Sequence, residues 1–210
     1  MTTDGSTVFL VDDDAGVIKA LTTLLEASGY NVRPFSSPRD FLSQHDPEAP
    51  GCAVFDVAMP DLDGLELQAV LINENIERPV IFITGVGDIP TTVQAMKAGA
   101  IDFLTKPVSD DKLLDAIARA TKRDAEARAS GLELKSINEK LAKLTPREHE
   151  VLTHVIAGKL NKQIAHDLGT VLNTIKIHRG RVMEKLGVKS VAELTRIAQR
   201  AGIPPAGGQR

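Results

Sequence analysis

Aspartates follow two apolar runs in the first half of the chain. Residues 12–14 are all aspartate and follow the run 7–11, while Asp56 ends the run 52–55. If these runs are strands one and three of an open α/β sheet, they are neighbours, and their carboxyl ends meet where such sheets bind ligands. Like charges held together need a cation, and a cluster of carboxylate oxygens suits Mg²⁺. The spacing therefore predicts a magnesium site at this edge.

Two further polar side chains lie at the ends of the next predicted strands. Thr84 follows the run 80–83, and Lys106 comes shortly after the run 101–104. A hydroxyl and an ammonium that face a carboxylate–metal cluster are the groups that neutralise a phosphoryl group. We therefore expect this edge of the sheet to hold a phosphoryl group beside Asp56.

Residues 1–121 alternate strand and helix signals. The strand-like runs are apolar without alternating, which is typical of parallel strands buried on both faces, and helical spacing separates them. Five such units predict an α/β domain with a doubly wound five-stranded parallel sheet. The predicted strands are Thr7–Val11, Asn31–Pro34, Cys52–Phe55, Val80–Ile83 and Ile101–Leu104.

The motifs in this half resemble the receiver domain of two-component response regulators, over residues 7–120. The matching pieces are Val-Asp-Asp-Asp at 11–14, Asp56 with Met59-Pro60 and Gly64, Thr84, and Lys106-Pro107. The resemblance implies a flavodoxin-like fold. It also implies that Asp56 is the nucleophile that takes a phosphoryl group from a sensor histidine kinase, as an aspartyl phosphate.

Further roles follow from the same resemblance. Asp13, Asp56 and the carbonyl of Ala58 would ligate Mg²⁺, and Asp12 would reach the ion through water. Thr84 and Lys106 would hold the phosphoryl oxygens.

Three more positions carry expectations. Phe103 occupies the switch-aromatic position of receivers, although an ordinary core role stays open for it. The Lys106–Pro107 peptide is expected to be cis, as in the family. Asp14 is expected to cap the helix that follows it.

Two positions depart from the receiver pattern. Ala58 stands where relatives often carry a polar or basic side chain, and Val86 stands where close relatives carry histidine. Neither side chain can orient a water for attack on the phosphoryl group, so we expect slow autodephosphorylation. A phosphatase-like hydrolase would need a general acid near Asp56, and these positions offer none. We therefore do not expect an enzyme.

Charge divides the chain in two. Residues 1–120 contain 19 acidic and 8 basic residues, a net −11, whereas residues 121–210 contain 9 acidic and 17 basic residues, a net +8. Such asymmetry suggests an acidic module joined to a module that binds a polyanion, although two ordinary domains with skewed surfaces could share it. The single Cys52 excludes an intramolecular disulfide.

Residues 122–143 are charged, rich in alanine, and predicted to form a helical linker. Its apolar residues recur at a spacing of three, four and three, which is typical of a coiled coil but covers too few turns to form one alone. One amphipathic helix packed on its own domain is an equal alternative. Ser130-Gly131 is expected to break the helix. The spaced residues are Leu134, Ile137, Leu141 and Leu144.

Residues 144–203 show four short helical segments and no strand signal, and residues 204–210 are expected to be disordered. Three motifs here resemble the LuxR-type helix-turn-helix domain, in its FixJ-like branch. The resemblance therefore implies an all-α four-helix domain that binds double-stranded promoter DNA. The motifs are Leu-Thr-Pro-Arg-Glu at 144–148, Gly158 to Ala165, and Thr174 to Ser190 with His178-Arg179-Gly180-Arg181.

Helix 172–186 is the predicted recognition helix, because the second helix of this motif enters the major groove. Its outer side is expected to carry the base-reading residues, with Lys176 as the first candidate and Lys162 on the preceding helix as a phosphate contact. Thr170-Val171 replaces the Ile-Ser pair usual in the family. Valine cannot cap a helix, so Thr170 takes over only if the helix begins one residue early. The candidate DNA-binding residues are Lys162, Thr174, Lys176, Arg179 and Arg181.

The sequence thus predicts a cytoplasmic response regulator. A sensor histidine kinase phosphorylates Asp56, and the protein then forms a homodimer, binds promoter DNA and acts on RNA polymerase. No secretory leader or membrane span is expected. The alternative is a regulator that binds DNA without phosphorylation, in which the receiver serves only as a dimerisation module.

Overall fold

The computed structural model describes residues 5–85 and 89–207. The chain divides into two compact units, residues 1–128 and 129–210. Along the described ranges, no helix combines the length and the apolar composition that crossing a bilayer requires.

The first unit is built on a parallel sheet of five strands. The strand order is β2-β1-β3-β4-β5, so β1 and β3 are neighbours, as the sequence predicts, and every pairing is parallel. The observed bounds lie within one residue of the predicted ones at either end. The strands are β1 (Thr7–Val11), β2 (Asn31–Phe35), β3 (Gly51–Asp56), β4 (Val80–Thr84) and β5 (Asp102–Thr105).

Among the described residues of this unit, five helices begin, and they cover both faces of the sheet. Alternate residues of β1 point to opposite faces. Val8 and Leu10 pack with Leu25 and Leu113, whereas Phe9 and Val11 pack in a second apolar layer. This double burial explains why the strands read as continuous apolar runs and confirms the predicted α/β fold. The helices are α1 (Ala15–Ala27), α2 (Pro38–Gln44), α3 (Gly64–Asn73), α4 (Ile89–Lys97) and α5 (Asp110–Leu141).

The first unit extends to Arg128, beyond the predicted boundary at residue 121. Asp124 is buried and accepts hydrogen bonds from the Gly51 N–H and from Nε of Arg128, each at 2.8 Å. Arg128 also donates to the carbonyls of Pro47, Glu48 and Ala49. These bonds fasten two turns of α5 to the segment before β3, and the sequence pattern gave no sign of them.

The second unit is helical. Its core draws residues from all four helices and includes Val151, Leu152, Ile164, Ile175 and Leu194. The four helices predicted in this half of the chain are present, and helix 172–186 has the predicted bounds. They are α6 (Pro146–Ile156), α7 (Asn161–Asp167), α8 (Leu172–Leu186) and α9 (Val191–Arg200).

The linker residues favour one of the two open alternatives. Leu141 and Leu144 pack against the core of the second unit, and Ile137 is buried, while Leu134 is 40% exposed. Glu133 forms an ion pair with Arg200 of α9. This stretch therefore packs as an amphipathic helix on its own domain.

Two predictions, the end of a helix at Ser130-Gly131 and a disordered C-terminal tail, are wrong. Helix α5 continues through Ser130 and Gly131, because an interior glycine costs only about 1 kcal/mol and does not force an end. The predicted disorder of residues 204–210 fails at least for 204–207, where the Ala206 N–H donates to the Thr153 carbonyl at 2.9 Å. Residues 208–210 lie outside the described part.

Candidate functional site

The predicted carboxylates converge. One oxygen from each of Asp12, Asp13 and Asp56 lies within 4.8 Å of the other two. Asp12 and Asp56 are almost fully buried, and Asp13 is exposed. They meet because β1 and β3 are parallel neighbours that end at the same edge.

Lys106 forms ion pairs with two carboxylates of this cluster. Its Nζ lies 2.9 Å from Oδ2 of Asp12 and 2.9 Å from Oδ1 of Asp56. Partial burial lowers the pKa of Lys106, but the hydrogen bonds and charges of the two carboxylates outweigh it, so the pKa is raised overall. The peptide between Lys106 and Pro107 is cis, as expected.

Gly64 explains how the chain passes so close to Asp56. A Cβ at this position would lie 2.3 Å from the Asp56 carbonyl oxygen, closer than any side chain can approach. The Gly64 N–H donates to the Val57 carbonyl at 3.1 Å. Glycine at this point of the motif is therefore a steric requirement of the loop that follows β3.

Thr84 and Ala58 flank the acidic cluster. Thr84 is buried at the end of β4, and its carbonyl accepts from the Lys106 N–H at 2.7 Å. Ala58 is exposed, and its N–H donates to Oδ2 of Asp56 at 3.1 Å. Val86 lies outside the described residues, so slow autodephosphorylation stays a prediction.

Phe103 is partly buried at the edge of an apolar layer. Its ring centroid lies 6.2 Å from that of Phe82. The side chain is therefore neither fully in the core nor free in solvent, which is compatible with both roles left open for it. Asp14 caps α1 as expected, accepting from the N–H groups of Gly16 and Val17.

In the second unit, the predicted recognition helix begins at Leu172, with Val171 at the N-cap and no side-chain capping bond. Thr170 does not take over, because the helix does not begin one residue early. The start of α8 therefore has no side-chain cap, and Val171 is 66% exposed.

The predicted DNA-binding residues of α8 differ in their exposure and in their partners. Lys176 and Arg181 are exposed, as expected of DNA contacts, and Thr174 is partly buried. Arg179 is not free on the outer side, because its Nη1 donates to Oδ1 of Asn161 at 2.8 Å. This bond ties α8 to α7 and makes Arg179 a poorer candidate reader.

Two exposed residues of α8 escaped the sequence analysis. Ile177 is 48% exposed, and Asn173, one turn earlier, is also exposed. Gly180, one turn after Lys176, leaves that part of the helix surface open. Helical periodicity alone places Ile177 opposite the core residue Ile175, but a single exposed apolar residue is common on protein surfaces and does not by itself indicate a contact.

Comparison with known proteins matches each half of the chain to a family model. The family model "Response regulator receiver domain" matches residues 8–118, and the model "Bacterial regulatory proteins, luxR family" matches residues 142–198.

Individual relatives agree along almost the whole chain. Nodulation protein W of Bradyrhizobium diazoefficiens is 44% identical over 93% of this chain and 86% of its own. Transcriptional regulatory protein FixJ of the same species is 39% identical over 97% of this chain and 98% of its own.

Solved structures give the same result. That of the response regulator StyR has a TM-score of 0.85 at 43% identity, covering 93% of this chain and 99% of that one. Full-length FixJ from B. japonicum has a TM-score of 0.59 at 38% identity, covering 97% and 99%. The chain therefore belongs to the FixJ-like response regulators of two-component systems, transcriptional regulators in which a receiver domain precedes a LuxR-type DNA-binding domain.

Proposed function

We propose that Asp56 is the phosphoacceptor and that its phosphorylation by a sensor histidine kinase controls promoter binding. The observation that carries this proposal is the Lys106 ammonium, placed 2.9 Å from both Asp12 and Asp56. A cation held against a buried carboxylate is positioned to neutralise charge added to that carboxylate.

The acidic cluster fits Mg²⁺. Three carboxylate oxygens within 4.8 Å of one another, with no nitrogen or sulfur ligand among them, are a hard donor set that suits this ion. Asp13, Asp56 and the carbonyl of Ala58 would hold the ion, with Asp12 reaching it through water. When bound, Mg²⁺ would neutralise part of the phosphoryl charge.

Phosphoryl transfer would begin at the Asp56 carboxylate. A carboxylate oxygen of Asp56 attacks the phosphorus of the kinase's phosphohistidine, the P–O bond forms, and the P–N bond breaks with its electron pair leaving on the imidazole. Lys106 and the Thr84 hydroxyl hold the phosphoryl oxygens. The product is an aspartyl phosphate at the edge of the sheet.

Phosphorylation is proposed to favour a homodimer. Helix α4 bears a stripe of exposed apolar side chains at Ile89, Val93 and Met96, with exposures of 80%, 44% and 46%. Their spacing of four and three places them on one side of the helix. Such a stripe supports a docking face for a second copy, and a DNA-bound dimer would then act on RNA polymerase.

The test is incorporation of phosphate. Intact-mass spectrometry after incubation with Mg²⁺ and acetyl phosphate should find one added phosphoryl group in the wild type and none in Asp56→Asn. Chelation of Mg²⁺ should abolish labelling of the wild type. Equal incorporation in Asp56→Asn would refute the assignment of Asp56.

A further inference from the structure

A cavity of about 520 Å³ lies in the first unit, at the end of the sheet opposite to the acidic cluster. Val80, the first residue of β4, lines the cavity, whereas Thr84, the last residue of β4, flanks the acidic cluster. The length of this strand separates the two places by about 13 Å. Small-molecule sites commonly have volumes of about 300–1,000 Å³. The cavity therefore has the size of a ligand site and is separate from the site proposed for phosphorylation.

One wall of the cavity is apolar. The end of α3 and the segment that follows it contribute Leu71, Ile72 and Ile76. Leu71 is buried and Ile76 is partly buried, but Ile72 is 53% exposed. An apolar molecule that packed on this wall would cover the Ile72 side chain and remove its surface from water, which is favourable. The wall is thus suited to the apolar part of a ligand.

The polar wall contains a buried arginine that has no carboxylate partner within the described ranges. Arg78 is only 7% exposed. Its guanidinium donates to the carbonyl oxygens of Asp46 at 2.7 Å, Ala49 at 3.2 Å and Pro47 at 3.4 Å. Its Nε is buried without an acceptor. Because a buried charge is costly unless it is paired, this wall favours the approach of an anion.

The two carboxylates of the cavity do not balance its positive charge. Asp124 is buried, but it already accepts from Nε of Arg128 at 2.8 Å. Glu77 is exposed to water and forms no ion pair with a described residue. Arg123 of α5 is also exposed, and no described carboxylate pairs with it. Two guanidinium groups, those of Arg78 and Arg123, therefore line the cavity, while its buried carboxylate is engaged by a third.

We propose that this cavity binds a small organic anion, a monocarboxylate with an apolar body. Arg123 would hold the carboxylate, because a guanidinium donates two parallel hydrogen bonds to such a group. Arg78 adds positive charge to the same lining. The apolar wall of Leu71, Ile72 and Ile76 takes up the body of the ligand. An apolar surface with a few polar groups that fix orientation is the usual composition of a small-molecule site.

Octanoate is a suitable probe, because it joins one carboxylate to an unbranched apolar chain. Three related probes separate the contributions of the two walls. Octanol keeps the chain without the charge, acetate keeps the charge with almost no chain, and octylammonium reverses the charge. If both walls act together, octanoate should bind at least about fivefold more tightly than each of the other three.

The experiment is a titration of the full chain, followed by two-dimensional amide NMR. Octanoate should produce saturable shifts of amides that line the cavity, such as those of Asn75 and Gly99. Arg123→Gln should weaken octanoate at least about fivefold. Lys122→Gln is the matched control, because it removes a positive charge from the adjacent position of α5, outside the cavity lining. This variant should bind octanoate as the wild type does.

A second pair of variants tests where the ligand binds. Ala127 lines the cavity from α5, so the ring introduced by Ala127→Phe would occupy the space and should abolish the octanoate shifts. Ala125→Phe is its control, since Ala125 is exposed on the same helix and does not line the cavity. Asp56→Asn should bind octanoate as tightly as the wild type, because Asp56 lies at the other end of the sheet. The proposal therefore does not depend on phosphorylation.

The inference is overturned if octanoate leaves the cavity amides unshifted, or if octanol or octylammonium binds as tightly as octanoate. It is also overturned if Arg123→Gln binds octanoate as tightly as Lys122→Gln does, or if Ala127→Phe retains the binding that Ala125→Phe shows.

Discussion

At the scale of single residues, the sequence predicted the acidic site of the first unit better than the DNA-binding surface of the second. The carboxylates and Lys106 were predictable, because the ends of neighbouring parallel strands must meet. Arg179 was not, because its partner Asn161 lies 18 residues earlier on another helix. Helical periodicity identifies the outer side of α8, but it does not show which side chain is already held by a neighbour.

Lys176 and Lys162 should differ in what they read. Lys176→Ala should cost about 1–3 kcal/mol at the preferred base and relax specificity there. Lys162→Ala should weaken binding to all sequences about equally and reduce the salt slope by roughly one. Competition binding with specific and random duplexes measures both effects. Equal loss on both duplexes for Lys176→Ala would make Lys176 a phosphate contact, and Ile177 or Arg181 would become the next residue to test.

At the scale of elements, the start of α8 shows the physical limit of sequence reasoning. The sequence indicated that Val171 cannot cap the helix, and whether Thr170 would compensate depended on a shift of one residue. Val171→Ser should supply the missing acceptor and stabilise the second unit by about 1 kcal/mol. Thermal unfolding monitored by circular dichroism measures this change. A lower melting temperature for Val171→Ser than for wild type would be inconsistent with an uncapped helix.

Glu148 joins the start of α6 to the end of α8. A hydrogen bond from Lys185 at 2.6 Å, followed by the Thr145 N–H at 2.9 Å, lowers the pKa of this buried carboxyl to about 2. Because the pKa of Glu148 is lower in the folded state than in the unfolded state, the ionised carboxylate stabilises the fold. This stabilisation is complete above the unfolded-state pKa of about 4.3 and is lost as the pH falls towards 2.

Glu148→Gln should therefore lower the free energy of unfolding at neutral pH by about 1.5–3 kcal/mol. It should also flatten the decline in stability between about pH 5 and pH 2. Urea unfolding over this pH series measures both quantities. A decline as steep in Glu148→Gln as in wild type would assign the acid sensitivity to other carboxyls.

In the first unit, Asp124 likewise joins two elements, because it accepts hydrogen bonds from Gly51 of β3 and from Arg128 of α5. Removing its buried charge leaves Arg128 without its carboxylate partner and the Gly51 N–H without its acceptor. Asp124→Ala should lower the free energy of unfolding of the first unit by about 3 kcal/mol. The matched control is Glu126→Ala, whose exposed carboxylate lies 4.0 Å from Lys122 and contributes at most about 0.5 kcal/mol. Similar losses in the two variants would contradict a structural role for Asp124.

At the scale of the whole molecule, the division of charge and the change from alternating strands to helices predicted both domains. The first unit ends seven residues later than predicted, at residue 128 and not at 121. Its end depends on hydrogen bonds between α5 and the segment 47–51, which lies far from α5 in the sequence. The exposure of Ile89, Val93 and Met96 on α4, which supports the proposed dimer face, likewise depends on contacts across the fold. Short-range patterns predict elements, while contacts across the fold decide where a unit ends and which faces remain open.

The central claim is that a phosphoryl group on Asp56 controls promoter binding. The most direct test measures DNA affinity and sedimentation of wild type and Asp56→Asn, each with and without Mg²⁺ and acetyl phosphate. We expect phosphorylation to tighten operator binding and convert monomer to dimer in the wild type, and to change neither in Asp56→Asn. Equal affinity and equal sedimentation of the phosphorylated and unphosphorylated wild type would contradict the claim, and would indicate a regulator that binds DNA independently of phosphate.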